Sequence, residues 1–105
     1  MTRLPDPPAV ALFTAGAPTG LLLDAAADAL HGLGLPVTAR LVRDTVPGEY
    51  RAAAIANALA DLRLVRGVLV AAGAEPWVRA VDQTAELLAC AADRCRSDYS
   101  ADVAH

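Results

Sequence analysis

Apolar residues in this chain fall into short continuous runs alternating with longer stretches of helical spacing. The first run, Val10 to Ala15, has no polar alternation, as expected of a parallel strand covered on both faces. It ends at the breaker cluster Gly16-Ala17-Pro18-Thr19-Gly20. From about Leu21 to Leu33 the period becomes helical. Leu22, Ala26, Ala29 and Leu33 form one stripe, and Leu23, Ala27 and Leu30 form another. So wide an apolar arc predicts a helix that is heavily buried or lies at an interface. Gly32 and Gly34 stop it, and Pro36 keeps it from resuming.

The next run, Val37 to Val42, alternates Val37, Ala39 and Leu41 with Thr38, Arg40 and Val42, which reads as an edge strand. A polar turn, Arg43 to Gly48, leads into a helix predicted from about Glu49 to Leu62, with Ala52, Ile55, Ala56, Leu59 and Leu62 inward. Gly67 to Ala72 is again apolar throughout and reads as a third strand, broken by Gly73-Ala74-Glu75-Pro76. A last helix is predicted from about Trp77 to Arg96, with Trp77, Val81, Ala85, Leu88 and Ala92 on its core stripe. The order β-α-β-α-β-α predicts an α/β fold of three layers. Right-handed crossovers would give a small parallel sheet of order 2-1-3, flavodoxin-like in plan. Residues 1–96 are expected to form one domain and residues 97–105 a loose tail. Two bare sheet edges in that plan call for a partner, either another copy or a larger protein.

Charge and composition narrow the chemistry. The net charge of −3 carries no basic stripe, so nucleic acid is not an expected partner. No apolar run approaches the ~20 residues that span a bilayer. The opening residues Met1 to Pro8 are broken by proline and contain an acid, unlike a signal peptide, so a cytoplasmic location is expected. The sequence has no lysine, which excludes Schiff-base chemistry, and its serines, Ser97 and Ser100, lie at the far end. Alanine abundance with arginine in place of lysine looks like the mark of a GC-rich bacterium. Cys90 and Cys95, five apart on a predicted helix, are badly placed to form a disulfide or share a metal. His31 falls at a helix C-terminus, at the sheet end away from any site. No catalytic residue, metal or cofactor is assigned.

In an open parallel sheet a ligand binds beyond the carboxyl ends of the strands. The loops there supply Gly16, Thr19 and Gly20 for a phosphate or carboxylate at a helix N-terminus, and Arg43, Asp44 and Thr45 beside it. Glu75 adds a carboxylate and Trp77 a flat wall. These are the expected ligand-binding residues, and a phosphorylated small molecule is the ligand they suit.

Three segments carry a family resemblance: the strand Val10-Ala11-Leu12-Phe13, the helix segment Asp24 to Leu30, and Leu33-Gly34-Leu35-Pro36 continuing to Val42. With Ala71-Ala72-Gly73-Ala74 they make the chain resemble the aminoimidazole ribonucleotide carboxylase family over roughly two-thirds of its length. The resemblance implies a flavodoxin-like fold, oligomers, and carboxylate transfer on a purine-pathway ribonucleotide. That family's loop serines and histidines are absent here. Val46-Pro47-Gly48-Glu49-Tyr50 before an alanine-rich helix is similar to lumazine synthases. The length, and the turn Gly34-Leu35-Pro36, are similar to the small subunit of dehydratase-reactivating factors. The expected function is therefore an accessory or assembly subunit, not catalytic alone, acting by oligomerisation or by docking on a larger enzyme. The alternative is an enzyme or binder for a small phosphorylated ligand, of the carboxylase or lumazine synthase type.

Overall fold

A computed structural model describes residues 6–11, 17–45 and 49–103. Among these residues the fold is helical throughout, with four helices and no strand: α1 Thr19–Gly32, α2 Pro36–Asp44, α3 Glu49–Ala71 and α4 Glu75–Val103. The expected α/β class, the flavodoxin-like plan and the resemblance to the carboxylase family that rested on it are therefore wrong. Val37 to Val42 lies inside α2, and Gly67 to Ala71 forms the end of α3. Of the first expected strand, Val10 and Ala11 are irregular, and residues 12–15 lie outside the described residues.

Both misread strands have a physical explanation. Alternation in α2 would place Val37, Ala39 and Leu41 on one face. Instead Ala39 and Val42, three apart, are buried, while Val37 and Leu41 face solvent. Pro36 does not start a strand; it occupies the first turn of a helix, where its missing N–H costs nothing. In α3, Leu62, Val65 and Leu69 keep helical spacing straight through Arg63 and Arg66, and nothing between Leu62 and Gly67 breaks the helix. A short apolar run cannot by itself separate a strand from a helix.

The two tight turns are built alike. After α1, the Leu35 amide donates to the Leu30 carbonyl at 2.9 Å and the Gly34 amide to His31 at 3.1 Å. After α3, the Ala74 amide donates to Leu69 at 3.0 Å and the Gly73 amide to Val70 at 3.1 Å. Each is a Schellman cap, whose reversed residue must take a positive φ; Gly34 has φ 86° and Gly73 φ 71°. The carbonyls of Leu35 and Ala74 then accept from Ala39 and Val78, starting α2 and α4.

Successive helices are neighbours, and α4 returns against α1, so the four enclose one core. α1 supplies Leu22, Leu23, Ala26, Ala27 and Leu30, the wide arc expected of it. α2 adds Ala39 and Val42, α3 adds Ile55, Ala58 and Leu62, and α4 adds Val81, Leu87, Leu88 and Ala91. Of the residues expected inward on α3, Ile55 and Leu62 are buried and Leu59 partly so, but Ala52 and Ala56 face solvent. Thr84 is fully buried in this core, its hydroxyl donating to the Ala80 carbonyl at 2.7 Å. The segment around Pro8 crosses the end of α1 so closely that a Cβ on Gly32 would stand 2.6 Å from the Pro8 Cβ.

Candidate functional site

The expected ligand residues are distributed between the two ends of the bundle. Gly16 lies outside the described residues. Thr19 and Gly20 are the first residues of α1; Thr19 is not the N-cap, because Pro18 occupies that place and its carbonyl accepts from Leu22. Arg43 reaches across to Asp28 of α1 in an exposed ion pair. Asp44 ends α2. The Thr45 hydroxyl donates to the Val42 carbonyl at 3.1 Å, and the Thr45 carbonyl accepts from Arg51 at 3.1 Å. Glu75 opens α4 and Trp77 sits half-buried in its first turn. The stretch of α3 between Arg51 and Ala71 spans ~30 Å at 1.5 Å per residue, so Glu75 and Trp77 stand at the opposite end from Arg43, Asp44 and Thr45.

Two open grooves lie near these residues. One, of about 450 Å³, runs along the α3–α4 turn past Glu75, Arg79 and the Arg66–Asp82 pair, which meets at 2.8 Å. The Asp82 carboxylate holds the Arg66 guanidinium's pKa above its ordinary value, by hydrogen bond first and charge second. The other, of about 720 Å³, runs between α1 and α2 past Asp28, His31, Arg40 and Arg43. Both are lined by solvated ion pairs of the kind worth at most about 1 kcal/mol. Among the described residues no cluster of His, Cys, Asp or Glu could hold a metal, and no helix is long and apolar enough to cross a membrane.

A different surface breaks the ordinary rule for a bundle. An exposed helix is normally polar on its solvent side. α3 buries Ile55, Ala58 and Leu62, yet its opposite face carries Ala53, Ala56, Asn57, Ala60, Leu64, Gly67, Val68 and Ala71, all exposed. Asp61 and Arg63 flank that face on its two edges, Asp61 accepting from Thr38; Arg66 turns aside to Asp82. No family matches this chain, and no curated protein or solved structure does either. The surface must therefore be read from its own chemistry.

α2 extends the patch. The Thr38 hydroxyl donates to Asp61 at 2.8 Å, locking α2 beside one edge of α3. Leu41 lies one turn beyond Thr38, and Asn57, Leu64 and Val68 share the helical edge of Asp61. Leu41, Leu64 and Val68 are 55, 73 and 70 % exposed. Scattered exposed leucines are unremarkable, but Leu64 and Val68 stand one turn apart among exposed alanines, an apolar stretch of the kind that marks a contact surface. None of these residues stood out in the linear sequence. The available signal was the spacing 53, 57, 60, 64, 67, 71, which steps by four and three along the side of α3 opposite Ile55, Ala58 and Leu62. It becomes visible only when α3 is carried through to Ala71.

Proposed function

We propose that this protein is an accessory helical subunit, non-catalytic by itself, which works by docking its α2–α3 face against another protein surface. The observation that supports this most strongly is the outward face of α3, which from Ala53 to Ala71 carries Asn57 as its one polar side chain although its other face already fills the core. Exposing Leu64 and Val68 to water forgoes roughly 1.5–3 kcal/mol each relative to burying them. A bundle of this size gains nothing from that exposure unless something covers it. The reading includes a cytoplasmic location. Cys90 and Cys95 are unpaired thiols on α4, which fits a reducing compartment.

A photo-crosslinking residue placed at position 64 tests this in the cell of origin. A discrete protein adduct from position 64, with none from a control position at Arg79, is the expected result. Equal, diffuse labelling from both positions would remove the reading. The mass of the adduct separates self-contact from a larger partner.

A further inference from the structure

We infer that α2 is a displaceable wall of the bundle, which leaves the core as one unit while α1, α3 and α4 stay folded. This goes beyond the docking reading and does not depend on it. Topology permits the motion. α1 and α3 stand across the core from one another, and each adjoins α2 on one side and α4 on the other. The α4 wall has 29 residues, ~44 Å at 1.5 Å per residue, whereas the α2 wall has 9, or ~14 Å. With α2 displaced, α4 still joins α1 to α3. The core between α1 and α3 is then open to water without unfolding of the whole chain.

Little holds α2 in place. Its first turn has neither a side-chain cap nor an acidic residue. A helix shorter than ~12–15 residues is marginal in water, so its own hydrogen bonds and its ordering entropy nearly cancel. Closure then rests on contacts with α1 and α3. Two α2 side chains are buried, Ala39 and Val42, against six in α1. Burying Val42 favours closure by roughly 10–100-fold, and the smaller Ala39 by about twofold. The Thr38 hydroxyl, donating to Asp61 at 2.8 Å, contributes about fivefold. The exposed Arg43–Asp28 pair contributes little. Together these favour the closed state by about 1,000-fold at most.

Both ends of α2 are built as pivots. Unit motion needs a few residues at element ends that absorb the change in backbone angles. Gly34, at φ 86°, occupies that place between α1 and α2. At the other end Thr45 leaves the helix in extended geometry, φ −70° and ψ 140°. Its carbonyl accepts from Arg51 of α3 at 3.1 Å, which anchors the chain there while the helix before it swings.

Native-state hydrogen exchange of the full chain, read residue by residue, tests the motion. The amides of Ala39 to Asp44 donate back along α2 and report its opening. They should exchange as one set, protected about 1,000-fold or less. Those of Val81 to Leu88 in α4 should exchange at least about tenfold more slowly, through whole-chain unfolding. Two variants separate the two routes. Gly67 lies six residues past Asp61, beyond the end of α2, so Gly67→Ala strengthens α3 whether α2 is closed or open. It should slow exchange in α4 about four- to fivefold and leave α2 unchanged. Thr38→Ala removes a contact of the closed state and should speed exchange in α2 about fivefold. If Gly67→Ala slows α2 in step with α4, then α2 opens only with the whole chain and the inference is overturned. Unequal exchange rates along α2 that Thr38→Ala does not move would mean a fraying helix, and would overturn it too.

Discussion

Alanine substitution of three glycines, Gly67 inside α3 and Gly34 and Gly73 in the two Schellman caps, gives opposite signs, and the structure sets each sign. Gly67 lies inside α3 with open space around its Cβ direction. In an exposed helix interior, glycine is about 0.8–1.0 kcal/mol worse than alanine. Gly67→Ala should therefore stabilise the dilute, monomeric chain by about that much. Gly73 lies only six positions on, also in open space, but at φ 71°. An L-residue forced into that region costs roughly 1–2 kcal/mol. The lower entropy of the unfolded alanine chain returns about 0.4–1 kcal/mol. Gly73→Ala should thus lose about 1 kcal/mol net, and Gly34→Ala, at φ 86°, about the same. For a domain of this size, 1 kcal/mol moves the melting midpoint by about 4–8 °C. Urea titration followed by circular dichroism reads all three. A Gly67→Ala variant that is destabilised, or a Gly73→Ala variant that is neutral, would show that α3 does not end in the cap described.

Other substitutions probe the core and the surface. Leu88→Ala removes a fully buried side chain in α4 and should cost about 2–5 kcal/mol in the same titration. Gly32→Ala should destabilise or displace the Pro8 segment, because the new Cβ would stand 2.6 Å from the proline Cβ; protease nicking near Pro8 would report the displacement. Arg43→Ala should change stability by no more than about 0.5 kcal/mol, since its ion pair with Asp28 is half exposed on one side and largely exposed on the other. Thr38→Ala should cost about 1 kcal/mol, because it leaves the partly buried Asp61 carboxylate without its donor.

Two helices were legible in the sequence, α3 was legible over Glu49–Leu62 but not beyond, and α2 was not, for reasons that lie in particular residues. α1 was legible because its apolar stripes recur every three or four residues and its end is marked by Gly34 and Pro36. Most of α4 was legible from Val81, Leu88 and their neighbours. α2 was hidden by its brevity: nine residues hold only two buried positions, Ala39 and Val42, and valine beside threonine imitates a strand. The end of α3 was hidden because it is apolar on both faces. A helix that buries one side against its own core and keeps the other for a partner loses its amphipathic period, and Gly67-Val68-Leu69-Val70 then reads like a buried strand. The expectation of assembly arose from bare sheet edges that do not exist. The exposed apolar surface lies on α3 instead.

Solvent labelling of the protein inside living cells tests that surface most directly. Hydroxyl-radical oxidation read by mass spectrometry compares Leu64 and Val68 with Leu21, which lies on α1 away from the patch and is 50 % exposed. In the dilute purified chain all three should label in proportion to their exposure. In the cell, Leu64 and Val68 should fall several-fold below Leu21. Equal labelling of the three in both settings would mean that nothing covers α3, and the docking face would be only an apolar helix in water.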